Sequence, residues 1–174
     1  MKILNRFTCT VIFECKCETQ EECVEKAVDE KVSLRCANLW NADLWNADLR
    51  NADLRNADLR NANLRNADLW NADLSDVNLS NANLSDVNLS NANLWGDKIS
   101  SCPICLTYGL YYPVWITDRK IKIGCQIHST KAWENFTDEQ IKKMDGDKAL
   151  NFWKVWKEPI LKLAKTHQNK GGEK

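Results

Sequence analysis

A five-residue motif repeats without interruption from Val32 to Gly96, and its period limits the folds open to the chain. We number each pentad −2 to +2 about its central residue, which is Leu in all thirteen copies from Leu34 to Leu94. In an α-helix, five residues advance about 500°, so these Leu side chains would circle the helix. In a strand, an odd period would point them alternately to opposite faces. Neither element buries this pattern.

A turn of about 90° in every pentad would bury it, because every Leu would then point to a common axis. Position −2 is Ala in ten pentads and Val in three, which suits a small inward neighbour of Leu. Asn and Asp at the remaining positions bond to nearby backbone and tolerate tight turns. Four pentads would form one square coil, and coils would stack at the strand spacing of about 4.8 Å. The sequence therefore predicts a solenoid of about three coils with a 20-residue register.

This register predicts which outward side chains are neighbours in successive coils. It places Trp40 next to Arg60, Trp45 next to Arg65 and Trp70 next to Arg50, and such pairs suit cation–π stacking worth about 0.5–1 kcal/mol. Exposed Trp and Arg are also the residues that dominate protein interfaces. The predicted interaction surface consists of Trp40, Trp45, Trp70, Arg50, Arg55, Arg60 and Arg65. The alternative is that these side chains only stack on one another along the coils. The register also predicts an Asn ladder through Asn51, Asn71 and Asn91, and a second through Asn41, Asn61 and Asn81.

The A(D/N)LXX motif of residues 32–96 resembles the pentapeptide-repeat family. The resemblance implies a mainly β fold, a right-handed quadrilateral β-helix. The strings IKIGCQIHSTKAW (121–133) and DGDKALNFWKVWK (145–157) are similar to the C-terminal segment of phage and prophage members. That similarity implies a viral protein acting in the cytoplasm of a bacterial host.

The sequence on either side of the pentads predicts a cap and a second small domain. Alternation of apolar residues over Arg6–Cys17 predicts a half-buried strand, and Thr19 with Glu22 begins a helix, so residues 1–31 form a strand–helix cap. Residues 97–168 are predicted to form a small α+β domain. It holds a hairpin over 108–127 that turns at Asp118 and Arg119, and two short helices. Residues 169–174 are predicted to be a disordered tail.

Two pairs of candidate metal ligands bracket the predicted hairpin. Cys102 and Cys105 form one pair, and Cys125 and His128 form the other. Such spacing is typical of a structural zinc site with three Cys and one His. The alternative is that Cys125 and His128 are packing residues and the first pair is incidental. The eight Cys otherwise favour thiols over a disulfide framework, because no signal peptide is evident.

The chain carries no recognisable catalytic motif, so we expect a non-enzymatic protein. The main hypothesis is a rigid module that binds a host or viral protein, with homodimerisation through the C-terminal aromatics also open and with no membrane segment. A second hypothesis, implied by the family, is mimicry of DNA toward DNA gyrase, which needs acidic rows. Five Arg against eight Asp leave the pentads a net charge of only −3. The acidic rows would consist of Asp43, Asp48, Asp53, Asp58, Asp68 and Asp73.

A third hypothesis is nucleic-acid binding by the C-terminal part, whose net charge is +5 over residues 97–174. A modest positive charge spread over this length is more typical of a solvated surface. The lysines available for such binding are Lys120, Lys122, Lys142, Lys143, Lys154 and Lys157.

Overall fold

The computed structural model describes residues 1–99, 103–106 and 109–170. The chain divides into two units, Met1–Cys102 and Pro103–Lys174. The first contains the pentads and the segment that precedes them. The second contains a four-stranded sheet and the C-terminal helices. In the part of the chain that the structure describes, no helix is long and apolar enough to span a membrane.

The pentads bury their Leu and Ala side chains along one continuous core. Twelve of the thirteen Leu residues are buried, and the exception, Leu84 in the last coil, is half-buried. The Ala residues at position −2 are buried beside them, except for the half-buried Ala82. This core explains the period of five, because each pentad supplies one large and one small side chain to the same interior.

Backbone hydrogen bonds join each pentad to the pentad four later in the sequence. Leu39 N–H donates to Asp58 O over 2.9 Å, and Asp58 N–H donates to Ala37 O over 2.9 Å. Parallel bridges repeat this 20-residue register from Asn38–Asp58 onward. The register continues as a short parallel pairing of β3 (Asp73–Leu74) with β4 (Asn93–Leu94), and β5 (Asp97–Lys98) pairs antiparallel with β4. The pentads therefore form a β-helix-like repeat with 20 residues per coil.

Two polar positions of each pentad make its turn. The residue at +2 has a positive φ, between 56° and 77°, in all thirteen pentads, which favours Asn, Asp and Gly over other residues. The side chain at −1 accepts a hydrogen bond from the N–H at +1 in twelve consecutive pentads, with Ser33 as the acceptor in the first and Asp or Asn in the next eleven, as in Arg60 N–H to Asp58 Oδ1 at 3.2 Å. These bonds explain why Asp or Asn precedes Leu so regularly.

The segment before the pentads consists of β1 (Lys2–Leu4), β2 (Val11–Glu14) and α1 (Gln20–Asp29). Helix α1 begins at the N-cap Thr19, whose hydroxyl accepts from Glu22 N–H over 3.2 Å. Its buried residues are Cys23, Val24 and Ala27. The helix reaches the first coil through a carboxylate oxygen of Glu25, which accepts from Asp48 N–H over 2.7 Å.

The strand predicted over Arg6–Cys17 is interrupted in the structure. Asn5 Oδ1 accepts from Phe7 N–H and Thr8 N–H, and this polar turn separates β1 from β2. Phe7 and Val11 are exposed, and Cys9 has a positive φ of 57° in the connecting segment. The apolar alternation was therefore misleading here, because the local Asn bonds compete with a continuous strand.

In the second unit, four antiparallel strands follow one another in sequence order. They are β6 (Ile104–Leu106), β7 (Val114–Ile116), β8 (Lys120–Ile123) and β9 (Gln126–Ser129). The middle pair β7–β8 is the hairpin that the sequence predicts, with Asp118 and Arg119 in its turn. The outer strands β6 and β9 were missed, because each is short and carries a thiol or imidazole that suggested a metal site instead.

Helices α2 (Thr130–Asn135) and α3 (Asp138–Lys170) cover this sheet. Their core is aromatic: Trp133 Nε1 donates to Ile121 O over 2.9 Å, and Trp133 and Trp153 lie 5.1 Å apart. Asp145 and Gly146 leave helical geometry and divide α3 in two. The second part continues to Lys170, where a disordered tail was predicted from residue 169. Residues 171–174 lie outside the described residues.

Hydrogen bonds from Gln168 attach the C-terminal end of α3 to the rest of the second unit. Gln168 Nε2 donates to Thr130 Oγ1 over 2.8 Å and to Thr117 O over 3.2 Å. Polar composition alone gave no sign of these two long-range bonds, and they explain why the last turn of α3 is ordered.

Candidate functional site

The outward position +1 is where the pentads differ most from one another. It is Arg or Trp in eight pentads from Arg35 to Trp70, and Ser in the four that follow. The three Trp residues of the first group are strongly exposed, Trp40 by 53 %, Trp45 by 49 % and Trp70 by 41 %. Side chains of this size at the surface place large apolar areas in water, which is typical of contact surfaces.

Three of the Arg residues bind the Asp of their own pentad in a two-point pair. Arg55 Nε donates to Asp53 Oδ1 over 2.7 Å, and its Nη2 donates to Asp53 Oδ2 over 2.8 Å. Arg60 makes the same contacts with Asp58 at 2.8 and 2.7 Å, and Arg50 pairs likewise with Asp48. The acidic rows predicted for DNA mimicry are therefore interrupted, because half of their carboxylates are neutralised.

These Arg–Asp pairs also lower the pKa of the Asp carboxyl groups. The guanidinium of Arg55 lowers the pKa of Asp53 from 3.8 to about 2, with a further hydrogen bond from Ser33. The hydrogen bonds from Arg50 and Arg60 likewise hold the pKa of Asp48 and that of Asp58 below their ordinary value.

The predicted cation–π stacking of Trp on Arg is not found among the described residues of the pentads. The 20-residue register holds, but Arg50 and Arg60 turn toward their own Asp partners instead. A carboxylate two residues away offers a charge-assisted two-point contact, which is stronger than stacking at an exposed site. The Trp rings therefore remain available at the surface.

The ladder between coils is stronger at position −1 than at the predicted position +2. Asn63 Nδ2 donates to Asp43 Oδ1 over 2.9 Å, and the same contact links Asn88 to Asp68. At position +2, Asn71 Nδ2 donates to Asn51 Oδ1 over 2.9 Å, as the sequence predicts for one pair. The −1 ladder was not among the predictions, although the sequence places Asn63 twenty residues after Asp43 and Asn88 twenty residues after Asp68.

Arg65 differs from the three paired Arg residues because its pentad holds Asn63 where theirs hold Asp. Within residues 1–99, no acidic side chain pairs with Arg65. Trp45 lies one coil earlier at the same position, and both line a shallow depression of about 400 Å³ with Asn61, Asn63 and Asn83. We call this surface the Trp45–Arg65 face. It combines an exposed aromatic ring, an uncompensated positive charge and amide groups.

A sequence model of the family described as Pentapeptide repeats matches eight copies, over residues 33–71 and 57–96. The buried Leu and Ala positions and the 20-residue register agree with that match. The chain carries a pentapeptide-repeat domain.

One solved structure similar to this chain is HetL, a pentapeptide repeat protein involved in heterocyst differentiation regulation from the cyanobacterium Nostoc sp. strain PCC 7120. The two are 35 % identical over 38 % of this chain and 32 % of HetL, with a TM-score of 0.37. The chain thus spans about a third of the length of HetL. No curated protein matches the sequence.

Outside the pentapeptide-repeat domain, the structure separates the predicted zinc ligands. Cys105 lies on β6 and His128 on β9, the two outer strands of the sheet, three strand spacings or about 14 Å apart. Cys105 is in register with Trp115 and His128 with Ile121, which are neighbouring rows whose side chains point to opposite faces. Cys102 lies outside the described residues, so the complete set stays a prediction.

Cys125 and His128 have packing surroundings. The His128 ring lies 4.9 Å from Phe136 and 5.3 Å from Trp133, and burial lowers its pKa. Cys125 borders an apolar cavity of about 210 Å³ that Trp133 and Phe152 also line. The half-buried His128 fits the alternative in which it is a packing residue, whereas Cys125 is exposed at the edge of the cavity.

Within the described residues, a different group of sulfur atoms comes together near the N-terminus. Cys15 and Cys17 form a disulfide, and the Sγ atoms of Cys15, Cys17 and Cys23 all lie within 4.8 Å of one another. The sequence predicted thiols rather than disulfides for these residues, and the pairing of Cys15 with Cys17 corrects this. The close spacing of these two residues, Cys-x-Cys, was the sequence feature that could have indicated their pairing.

Three of the six lysines considered for nucleic-acid binding contact oxygen atoms of the protein. Lys142 pairs with Asp147 over 2.6 Å, and Lys154 pairs with Asp138 over 3.4 Å. Lys157 Nζ donates to Glu134 O over 3.1 Å. Positive charge at these three positions therefore lies beside an acidic or carbonyl oxygen.

Proposed function

We propose that this pentapeptide-repeat domain is a non-enzymatic protein-interaction module that binds its partner through the Trp45–Arg65 face. One observation carries the proposal. Position +1 holds Arg or Trp in eight pentads and Ser in the next four, while the turn and ladder bonds are the same in both groups. Because the fold accepts Ser there, it does not require the exposed Trp rings or the unpaired Arg65, and we infer that these side chains serve a partner.

The chemistry of this face indicates the kind of partner. Arg65 has an uncompensated guanidinium, which suits a carboxylate because it can donate two parallel hydrogen bonds. Trp45 beside it offers a large apolar surface, and Trp with Arg is the combination most common at interface hot spots. We therefore expect a partner protein that presents an acidic side chain next to an apolar one.

The finer fold and the setting are part of the same proposal. We infer a right-handed quadrilateral β-helix, supported by four pentads per 20-residue register and by a positive φ at every +2 position. The similarity of residues 121–133 and 145–157 to phage proteins favours a host or viral partner in the bacterial cytoplasm. An experimental structure with left-handed coils would contradict the first inference.

The test is capture of the partner with the full-length protein, followed by titration calorimetry with the purified partner. The variant Trp45→Ser/Arg65→Ser installs the residue that the chain itself uses at position +1 of later pentads. We expect its affinity to fall at least a hundredfold, because hot-spot residues each contribute about 2 kcal/mol or more. Far-UV circular dichroism should be unchanged.

The matched control is Trp70→Ser/Arg50→Ser, which removes one Trp and one Arg from a neighbouring column. Arg50 is already neutralised by Asp48, so we expect this variant to bind within about threefold of the wild type. Equal losses in the two variants, or no loss in either, would refute the assignment to the Trp45–Arg65 face.

DNA mimicry toward gyrase has less support from this surface. The negative charges of Asp48, Asp53 and Asp58 are neutralised by their Arg partners. We expect no inhibition of gyrase supercoiling at micromolar protein, and clear inhibition at that level would favour the mimic instead.

A further inference from the structure

Three cysteine sulfurs meet where the N-terminal strands join helix α1. Cys15 directly follows β2, Cys17 comes two residues later, and Cys23 lies in the second turn of α1. Their Sγ atoms lie within 4.8 Å of one another. Across residues 1–99, 103–106 and 109–170, this is the one group of three or more Cys, His, Asp or Glu side chains arranged closely enough to hold a metal ion.

The group has the chemistry of a site for a thiophilic metal ion. Thiolates are soft ligands that select d¹⁰ ions such as Zn²⁺ and Cu⁺. With Zn–S bonds of about 2.3 Å, two sulfurs on one tetrahedral zinc are about 3.8 Å apart. Once the disulfide is reduced, the Cys15 and Cys17 sulfurs must separate to that distance, and Cys23 Sγ needs to approach them by no more than about 1 Å.

Opposing effects act on the Cys23 thiol. It lies near the N-terminal end of α1, where the helix dipole favours thiolate, and the charge of Lys26 acts in the same direction. Burial is the larger effect and raises the pKa of Cys23. The side chain is fully buried, which also limits its access to other reagents.

We propose that Cys15, Cys17 and Cys23 bind one thiophilic d¹⁰ metal ion when reduced, and that closure of the Cys15–Cys17 disulfide releases it. Two molecules of a small thiol reduce the disulfide, giving two cysteine thiols and one small-molecule disulfide. The metal ion then displaces three protons and binds three sulfurs, and water or a small thiol takes the fourth position. A small-molecule disulfide reverses the sequence by taking the two electrons back.

The site would link the redox state of the N-terminal segment to the first coil. Helix α1 contacts that coil through Glu25 and Asp48, and Val32 N–H donates to Ala27 O over 2.8 Å just before the pentads begin. A metal ion joining the end of β2 to α1 would therefore hold the helix in place against the coil.

The test is a zinc titration of the full-length protein under anaerobic conditions, with a chromophoric chelator as competitor. Protein reduced with a dithiol and then desalted should bind one zinc per chain through this site. Protein oxidised with a small-molecule disulfide should lose that zinc. No zinc in the reduced protein, or equal uptake in both states, would overturn the proposal.

Single variants assign the ligands. Cys17→Ser and Cys23→Ser should each weaken zinc binding at least tenfold, whereas Cys9→Ser, which removes an exposed thiol outside the group, should not change it. Cys17 is only half-buried, so its variant tests the site even if Cys23→Ser fails to fold. The variant Cys125→Ser distinguishes this site from the predicted C-terminal zinc site. If Cys125→Ser loses zinc while Cys17→Ser retains it, the proposal is refuted.

Discussion

The early and late pentads of the repeat domain share one interior and differ at the surface. In both, Leu and Ala fill the core and Asn or Asp makes the turn. The eight early pentads carry Arg or Trp at position +1, and the next four carry Ser before the last pentad ends with Trp95 and Gly96. The residue at position +1 changes while the backbone pattern stays the same. The fold therefore requires the interior and turn residues but not a particular residue at +1. The interior positions specify the coil, and the outer positions are free to specify a partner.

The largest expected effect of a single change lies in the shared interior. Leu54 is fully buried, so Leu54→Ala should lower the free energy of unfolding by about 2–5 kcal/mol through lost burial and a new cavity. Urea denaturation of the full-length protein measures this. Leu84→Ala is the matched control, because Leu84 is already half-buried, and its loss should be clearly smaller. Equal losses would show that the last coil is packed like the others.

The corner is the next most sensitive position. Asn56 has a φ of 58°, so Asn56→Val should cost about 1–2 kcal/mol or more, because a β-branched side chain clashes in the left-handed region. Asn56→Gly accepts this conformation and should stay close to the wild type. Thermal unfolding of both variants distinguishes backbone strain from loss of the amide side chain; a large loss in Asn56→Gly would point to the amide.

The stability contributed by the Arg–Asp pairs of the early pentads should depend on pH, and the late pentads have no such pairs at position +1. The pKa of Asp53 is depressed in the folded protein, so this Asp stabilises the fold above pH 3.8, and that contribution is lost as the pH falls toward about 2. Asp48 and Asp58 act in the same direction. The variant Arg50→Ser/Arg55→Ser/Arg60→Ser should lose less stability over this pH interval. A pH series of unfolding free energies that is as steep for the variant would contradict the role of the pairs.

The repeat domain was predictable from sequence because each position of the pentad has one structural role, and the pentad recurs thirteen times. Leu34 to Leu94 fix the interior, and the Asn at +2 fixes the corner. The preference of Arg60 for Asp58 over Trp40 was not predictable from the register alone, since it depends on side-chain geometry within one pentad.

The second unit was harder to predict because its decisive contacts join distant residues. The hairpin over β7 and β8 followed from local alternation. The outer strands β6 and β9 did not, and the Gln168 bonds to Thr117 and Thr130 join residues 51 and 38 positions apart. Similarly, the meeting of Cys15, Cys17 and Cys23 depends on how α1 folds back on β2, which no spacing rule gives.

The most direct test of the central claim is the unfolding free energy of the triple variant Trp40→Ser/Trp45→Ser/Trp70→Ser. If these rings are displayed for a partner, the free energy of unfolding of the variant should lie within about 1.5 kcal/mol of the wild type, since exposed substitutions usually change stability by no more than about 0.5 kcal/mol each. A loss of about 3 kcal/mol or more would mean that the Trp side chains hold the coils together, and would contradict their assignment to an interaction surface.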